Sequence, residues 1–259
     1  MTADAVFVPD GGTFMATDLA VGPWSPGTLH GGAPAALMVH ALRDQPADPR
    51  LRLARITYEF MRPVPMGPLT VGVEVVRPGR RVTLLDAVLH GPDQTEVTRA
   101  RALLLRPSEL GGSLLGTPPF PGPDAGEQRD WHNPPTPTFA TDAMEIRFVE
   151  GEFREPGPST AWFRLRHPLV AGVPTRPLEL LAAVSDFGNG IASELSWDDH
   201  VFINPDLTVY VEREPAGEWV ALQSQTRLGT GSVAIAESVL WDQRGRIGRA
   251  TQSLLVSRR

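Results

Sequence analysis

The feature that most constrains how this chain can fold is an internal repeat of one strand pattern. Residues 56–90 read ITYEFMRPVPMGPLTVGVEVVRPGRRVTLLDAVLH, and residues 207–241 read LTVYVEREPAGEWVALQSQTRLGTGSVAIAESVLW. Alternation of apolar and polar residues, interrupted by Pro and Gly turns, is typical of antiparallel strands joined by hairpins. Each segment therefore predicts an antiparallel meander.

Residues at matching places in the two meanders are separated by a nearly constant spacing. Thr57 matches Thr208 and, after a shift of one residue, Arg77 matches Arg227. Similarity sustained along both segments favours an internal duplication over chance. The second half of the chain is therefore expected to repeat the fold of the first.

The length and composition of the chain are consistent with two repeats. A chain of 259 residues has room for two domains of ordinary size, and 41% hydrophobic with 21% charged residues can form a core. Residues 108–143 are dense in Pro and Gly, which indicates an ordered or semi-rigid linker. We therefore expect an N-terminal repeat over 1–107, this linker over 108–143 and a C-terminal repeat over 144–259.

A helix is predicted upstream of each meander. The segments are APAALMVHALRD (33–44) and LELLAAVSDFGNGIAS (178–193), and both are apolar almost all round. A helix without a polar face is usually buried. The expected fold class is α+β, with a long central helix wrapped by an antiparallel sheet in each repeat.

Composition excludes several kinds of function. The chain has no cysteine and no lysine, which removes thiolate, Schiff-base and Lys-dependent phosphate-loop chemistry. Its net charge of −6 disfavours a nucleic-acid interface. The histidines show no metal-ligand spacing, so neither a metal nor another cofactor is expected. GxSxG and GxGxxG motifs are missing. Water is then the expected nucleophile.

The cellular location of the protein is predicted from its apolar runs and its first residues. No run approaches the roughly 18 residues that a membrane span requires. The first residues, MTADAVFVPDGG, lack the basic flank and apolar core of a signal peptide. A cytoplasmic location without a membrane span is therefore expected.

The order of elements in each half resembles the hotdog fold, and two joined copies resemble a double hotdog. Over nearly its whole length the chain resembles the acyl-CoA thioesterase II-like proteins. This resemblance implies an acyl-CoA thioesterase that hydrolyses a fatty or related acyl-CoA to the free acid and CoA. We also expect a homodimer or a higher homo-oligomer that associates through the outer sheet faces or the linker.

The resemblance raises the question of where the catalytic acid lies. In single-hotdog thioesterases an HGG turn opens the central helix, and an acid follows nine residues after the His. Here the turn begins at His30, but nine residues later stands Val39. Aligning the second helix with the first places Asp186 at the position of Val39 and Pro177 at that of His30. The two halves together would form one composite site and leave one inactive site.

The resemblance also assigns roles to individual residues. Asp186 would be the base or the anion that orients the attacking water, and Gln252 and Asn204 would fix that water, although the family carries a hydroxyl residue where Asn204 stands. The N–H of Gly31 or Gly32 would polarise the thioester carbonyl at the start of the first helix. These residue types suit thioester hydrolysis, which needs an aligned water, a proton acceptor and donors toward the developing oxyanion.

Further residues are assigned from their positions. His30 would contact the substrate, either as a structural residue or as a proton carrier. Arg77, Arg80 and Arg81 in RPGRR would either form a solvated hairpin or bind the phosphates of coenzyme A. Arg101 is expected at the position that matches Gln252, which would help to inactivate the second site.

Simpler interpretations remain open for the same residues. HGG is also a common turn before a helix, and Asp186 could form an ion pair with Arg176. Gln252 could be an ordinary strand residue, and Asn204 before a proline could be a turn former. The alternative function is a non-catalytic acyl-CoA or acyl-carrier binding protein of the same fold.

Overall fold

The computed structural model describes residues 4–43, 45, 48–108, 120–129, 137–153 and 155–259. These residues form a 13-stranded antiparallel sheet and three α-helices. The helices are α1 Gly32–Leu42, α2 Pro177–Ser185 and α3 Gly188–Ile191. The strands are β1 Phe7–Asp10, β2 Thr13–Ala16, β3 Arg52–Phe60, β4 Pro68–Arg77, β5 Val82–His90, β6 Glu96–Leu105, β7 Met144–Glu150, β8 Ser159–Leu165, β9 His200–Ile203, β10 Asp206–Val211, β11 Val220–Leu228, β12 Val233–Asp242 and β13 Gly245–Arg258.

The order of strands across the sheet displays the repeat. It runs β1-β2-β4-β5-β6-β3-β10-β13-β12-β11-β8-β7, and β9 pairs with β13 outside this path. The order is symmetric about the central pair, because β3 corresponds to β10, β6 to β13, β5 to β12 and β4 to β11. In each half only the later strands form a meander, β4-β5-β6 and β11-β12-β13, whereas β3 pairs with β6 and β10 with β13. The prediction that the first strand of each segment continues into the meander was therefore wrong. The two halves join edge to edge through β3 and β10.

The central strand pair places matching residues opposite each other. Thr57 pairs with Thr208 in the antiparallel register, and the Thr208 hydroxyl donates a hydrogen bond to the Thr57 hydroxyl oxygen at 3.1 Å. A local twofold axis requires equivalent residues to meet in this way. The spacing read from the sequence is therefore also the geometric relation between the two halves.

The helices are shorter than the segments predicted for them. The first begins at Gly32 and ends at Leu42, and nearly all of its residues are buried, as its apolar sequence predicted. The second ends at Ser185, and only the four-residue α3 follows. The prediction of one long helix over 178–193 was therefore wrong.

The break after Ser185 has a local cause. The side-chain amide of Gln252 donates a hydrogen bond to the backbone carbonyl of Asp186 at 3.3 Å, so that carbonyl has a partner outside the helix. The Ser185 hydroxyl also donates to the carbonyl of Leu181 at 2.7 Å, a local bond that competes with regular helix geometry. Both bonds favour ending the helix where the carboxylate of Asp186 is needed.

The helices α1 and α2 pack side by side in opposite directions. At one end, a Cβ atom on Gly32 would overlap with the backbone carbonyl of Ala183, so the two backbones can approach closely only at a glycine. At the other end, His40 Nδ1 lies 2.9 Å from Glu179 Oε1 in the core. The start of α1 therefore lies beside the end of α2, where residues of both halves can meet.

The described parts of the predicted linker pack against the second half. Trp162 Nε1 donates to the carbonyl of Pro121 at 2.8 Å, and Glu127 forms a bridge with Phe148 of β7. A π-helical turn, Phe139–Ala143, buries Phe139 completely. The rest of the 108–143 segment lies outside the described residues, and the exact boundaries of the two repeats stay a prediction.

Of the helices within the described ranges, none combines the length and the apolar character that a bilayer crossing requires.

Candidate active site

The carboxylate of Asp186 is the centre of a polar cluster at the end of α2. Its side chain is 6% exposed, and burying a charge at this depth requires partners. Asn204 Nδ2 donates to Oδ1 at 2.7 Å, and Gln252 Nε2 donates to the same oxygen at 3.2 Å. The second half thus supplies a carboxylate whose Oδ1 is held by two amides.

The other carboxylate oxygen, Oδ2, faces the first half of the chain. It lies 3.2 Å from His30 Nδ1. A Cβ atom on Gly31 would stand 2.8 Å from Oδ2 and 3.1 Å from Cγ of Asp186, closer than real Cβ contacts. The HGG turn and Asp186 therefore meet across the two halves, and only glycine fits at position 31 without displacing the carboxylate.

His30 organises the start of α1. Its Nδ1 accepts a hydrogen bond from the backbone N–H of Gly32 at 3.0 Å, so the neutral ring carries its proton on Nε2. The ring stacks on Phe187, with centroids 4.4 Å apart, and lies 5.3 Å from the ring of Phe139. These contacts fix the orientation of the imidazole beside Asp186.

The two glycine N–H groups of the turn differ in availability. The Gly32 N–H already donates to His30 Nδ1. Of the two glycines expected to polarise a substrate carbonyl, only Gly31 is left with a donor for that role. Within the described ranges, the Gly31 N–H makes no hydrogen bond. It is the free donor at the positive end of the α1 dipole, directly beside the carboxylate.

Gln252 is a buried positioning group in this arrangement. Its residue is 3% exposed, and its Oε1 accepts a hydrogen bond from the Asn189 N–H at 3.4 Å. Both ends of the amide are thus engaged inside the protein. Gln252 orients Asp186 directly, and the expectation that it also contacts the attacking water remains a prediction.

Several residues around the site were missed by sequence reasoning. Phe139 lies in the segment read as linker, and Phe187 and Asn189 were assigned to an unbroken helix. Tyr58, which is fully buried, donates to the carbonyl of Ala35 at 3.1 Å. Burial raises the pKa of the Tyr58 phenol, and the charge of Asp186 adds to this effect, so the hydroxyl remains a donor.

The interpretation of Asp186 as an ion-pair partner of Arg176 was wrong. Arg176 precedes α2 and Asp186 follows it, so the two residues lie at opposite ends of the helix. The partners of the carboxylate are the amides of Asn204 and Gln252 together with His30.

The match between Arg101 and Gln252 was also wrong, by one residue. Thr57 pairs with Arg101, and its equivalent Thr208 pairs with Thr251, so Arg101 corresponds to Thr251. Ala102 therefore occupies the position of Gln252. Since side chains alternate between the two faces of a strand, Arg101 and Ala102 point to opposite faces, and Arg101 lies on the face opposite to that of the Gln252 equivalent. Arg101 is exposed there and binds Asp86 at 2.7 Å.

The three arginines of RPGRR lie in and beside the β4–β5 hairpin. The Arg106 N–H donates to the carbonyl of Arg81, and Arg80, Arg81 and Arg106 border one open cleft. In the described structure no contact joins Arg77, Arg80 or Arg81 to the Asp186 cluster. Their assignment to the phosphates of coenzyme A stays a prediction.

Two loops that lead into the cluster touch through their tryptophans. Trp24 lies shortly before His30, and Trp197 lies shortly before Asn204. The two indole rings are 5.5 Å apart, and Trp24 is 48% exposed. The Nε1 donor of Trp197 is buried without a hydrogen-bond partner among the described atoms. The loops from the two halves thus form a common aromatic rim.

Comparisons with known proteins follow the same division into halves. A model of the acyl-CoA thioesterase N-terminal domain matches residues 20–105, and a model of the acyl-CoA thioesterase C-terminal domain matches residues 117–256. No curated protein sequence gives a significant match.

Solved structures are similar to the chain over most of its length. A protein of Alicyclobacillus acidocaldarius with a hotdog fold is 19% identical, with 99% of this chain and 97% of that chain covered and a TM-score of 0.74. The TesB protein of Mycobacterium avium subspecies paratuberculosis is 15% identical, with 97% and 96% covered and a TM-score of 0.68. An acyl-CoA thioesterase II of Mycobacterium marinum is 19% identical, with 88% and 89% covered and a TM-score of 0.64.

These structural similarities establish the hotdog fold, and the two family models account for both halves of the chain. The C-terminal model alone spans more than half of the sequence and includes Asp186, Asn204 and Gln252. The chain therefore belongs to the acyl-CoA thioesterase family of thioester hydrolases.

Proposed function

We propose that this protein hydrolyses a fatty or related acyl-CoA to the free acid and CoA, with Asp186 activating water. The observation that carries the proposal is the meeting of Asp186, from the second half, with the HGG turn of the first. This contact puts a proton acceptor beside a free backbone donor at a helix start. Thioester hydrolysis needs both within reach of one carbonyl group.

The two oxygens of Asp186 have different roles in the proposed mechanism. Oδ1 accepts hydrogen bonds from Asn204 and Gln252 and is thereby fixed in place. Oδ2 receives no donor from these amides and is the oxygen available to a water molecule. The side-chain carbonyl of Asn204 adds an acceptor for the second proton of that water, a role that the amide can fill in place of a hydroxyl.

The thioester carbonyl would be bound at the start of α1. Its oxygen accepts the free N–H of Gly31, and the helix dipole stabilises the negative charge that develops there. Glycine suits this position because a side chain would collide with the carboxylate. His30 holds the adjacent N–H of Gly32 and so keeps the turn in shape.

The reaction then balances without a further reactant. The water oxygen attacks the carbonyl carbon while Asp186 Oδ2 takes one proton of the water. Collapse of the tetrahedral intermediate breaks the carbon–sulfur bond, and the leaving CoA thiolate takes the proton from Asp186 Oδ2, which restores the carboxylate.

We also propose a double-hotdog arrangement in which the two repeats supply one catalytic site per chain. The supporting observations are the symmetric strand order and the paired Thr57 and Thr208. Assembly into a homodimer or a higher homo-oligomer remains part of the proposal, to be measured by light scattering.

The second candidate function is acyl-CoA or acyl-carrier binding without turnover. It is favoured by one observation: Asn204 stands where the family carries a hydroxyl residue, and its Nδ2 is already bound to Asp186. The same fold and the same cleft would then hold a thioester without hydrolysing it.

One experiment separates the two functions. A panel of acyl-CoAs of increasing chain length is incubated with the protein, and the release of free CoA thiol is followed over time. Hydrolysis of at least one member, lost in Asp186→Asn, supports the enzyme. Saturable binding of the panel without thiol release from any member would establish the binding protein instead.

A further inference from the structure

The duplicated fold contains a second cleft at the position equivalent to the Asp186 site. It lies at the opposite end of the helix pair, where the end of α1 meets the start of α2, and has a volume of about 330 Å³. Pockets of roughly 300–1,000 Å³ are typical of small-molecule sites. Local symmetry thus left a cavity where the catalytic residues are missing.

The chemistry of this cleft differs from that of the working site. Val39 stands in the position of Asp186, and Leu53 stands in that of Asn204, at the spacing that relates Thr57 to Thr208. Both residues line the cleft, together with Leu85, Leu104 and Leu178. The cleft therefore has an apolar floor, and no carboxylate stands at the position equivalent to Asp186.

Two cationic groups that line the cleft have no partner within the described part of the chain. Arg43 and Arg176 both line it, and among the described residues neither guanidinium makes a hydrogen bond or an ion pair. The third arginine at the entrance, Arg52, lies 3.4 Å from Glu214 and is thereby neutralised.

The remaining acid of the cleft is engaged from inside the protein. Glu179 Oε1 lies 2.9 Å from His40 Nδ1, and Oε2 accepts the backbone N–H of Arg176 at 2.8 Å. The carboxylate of Glu179 is thus held in the core, whereas the guanidiniums of Arg43 and Arg176 remain available to a ligand.

We propose that this second cleft is a non-catalytic binding site for a fatty-acid anion. The apolar floor would hold the alkyl chain, and Arg43 and Arg176 would bind the carboxylate through charge-assisted hydrogen bonds. The proposal depends on the cleft alone and does not require that the Asp186 site hydrolyse thioesters.

Isothermal titration calorimetry with decanoate tests the site. Two variants address it: Val39→Phe, which fills the cavity from its floor, and Arg176→Gln, which removes an exposed cation while keeping the backbone N–H bound to Glu179. Arg227→Gln is the matched control, because it removes one exposed arginine from the second half. Decanol provides the same chain without the charge.

The expected results are specific to each variant and probe. Val39→Phe should abolish one class of decanoate sites, and Arg176→Gln should weaken that class by about ten- to hundredfold, the usual effect of losing a charged hydrogen bond. Arg227→Gln should leave it unchanged, and decanol should bind the site at least tenfold more weakly than decanoate. A non-hydrolysable decyl-CoA thioether should bind a separate site that survives Val39→Phe.

Equal decanoate binding by the unmodified protein and both cleft variants would overturn the proposal, as would equal affinity for decanol and decanoate. Displacement of decanoate from the cleft by the CoA thioether would assign it to acyl-CoA and also refute the fatty-acid site. If Val39→Phe does not fold, Arg176→Gln alone decides. Thiol release, measured separately, reports on the proposed hydrolysis.

Discussion

Replacing Asp186 by Asn removes the proposed general base and keeps the shape of the side chain nearly unchanged. The Asn carbonyl can take the place of Oδ1 and accept the hydrogen bonds of Asn204 and Gln252, now 2.7 and 3.2 Å long. Its amide nitrogen then stands in place of Oδ2, 3.2 Å from His30 Nδ1, whose lone pair already accepts the Gly32 N–H. The hydrogen bonds from Asn204 and Gln252 and the bond from Gly32 to His30 are all retained, so we expect the stability of the fold to change by about 1 kcal/mol or less.

The catalytic effect should be much larger than the effect on stability. An amide cannot take a proton from water, and loss of a general base typically costs about 10²- to 10⁴-fold in rate. This range corresponds to about 3–5 kcal/mol in activation free energy. The assay is the initial rate of CoA thiol release from the best acyl-CoA of the panel, at saturating and limiting substrate.

Asp186→Ala provides the comparison. It removes the acceptor and leaves the buried donors of Asn204 and Gln252 unpaired, at about 1–3 kcal/mol each. Thermal unfolding should therefore show a destabilised Ala variant and a near-native Asn variant, both with the same low activity. Full activity in Asp186→Asn would refute the role of the carboxylate, and collapse of its fold would refute the hydrogen-bond assignment.

Three further predictions follow from named contacts. Gly31→Ala should lower kcat/KM by about 10²-fold, because its Cβ would stand 2.8 Å from Asp186 Oδ2 and displace the carboxylate. The rate of thiol release measures the loss, and an unchanged rate would contradict the close packing of Gly31 on Asp186. Val39→Asp in the Asp186→Asn background should restore no activity, since the facing turn lacks the glycines; measurable recovery would show two potential sites. Arg213→Gln breaks the ion pair with Asp242 and should destabilise the protein by about 2–3 kcal/mol. This is less than the loss of a fully buried ion pair would cost, because the Arg213 side chain is 36% exposed. Urea unfolding at pH 7 measures the difference in stability. Burial alone would raise the pKa of Asp242, but Arg213 and two backbone N–H groups hold this pKa below its usual value. The stabilisation of the folded state by the Asp242 charge is therefore complete above about pH 4, and it is lost as the pH falls through the lower pKa of the folded protein. The difference between the two proteins should therefore shrink on acidification, and a constant difference would exclude this pair as its source.

The strand pattern and the internal repeat could be predicted from the sequence, because both are local or periodic properties of the chain. Alternation of apolar residues specifies which strand face is buried, and a constant spacing between Thr57 and Thr208 specifies that two halves share one plan. Placing Asp186 opposite the HGG turn needed the resemblance to single-hotdog thioesterases, which sets the spacing from the His to the acid, together with the alignment of two apolar helices.

Errors arose where one residue of register or one tertiary hydrogen bond decided the outcome. Arg101 was assigned to the position of Ala102, and on a strand this slip exchanges the buried face for the exposed one. The helix over 178–193 was predicted as continuous, since the bond from Gln252 that helps to end it comes from a strand more than sixty residues later.

By itself, the sequence indicated the strand pattern and the duplication, because period and spacing depend on neighbours along the chain, and its resemblance to a known family predicted the hotdog fold and proposed Asp186 as the acid. Only the tertiary structure decided how that acid is held. The amides of Asn204 and Gln252 converge on one oxygen of Asp186, and His30 takes the Gly32 N–H so that the Gly31 N–H is left free. The two contacts on Asp186, 2.7 and 3.2 Å long, join residues that lie far apart along the chain, and such distances are set only when the helices and the sheet pack together.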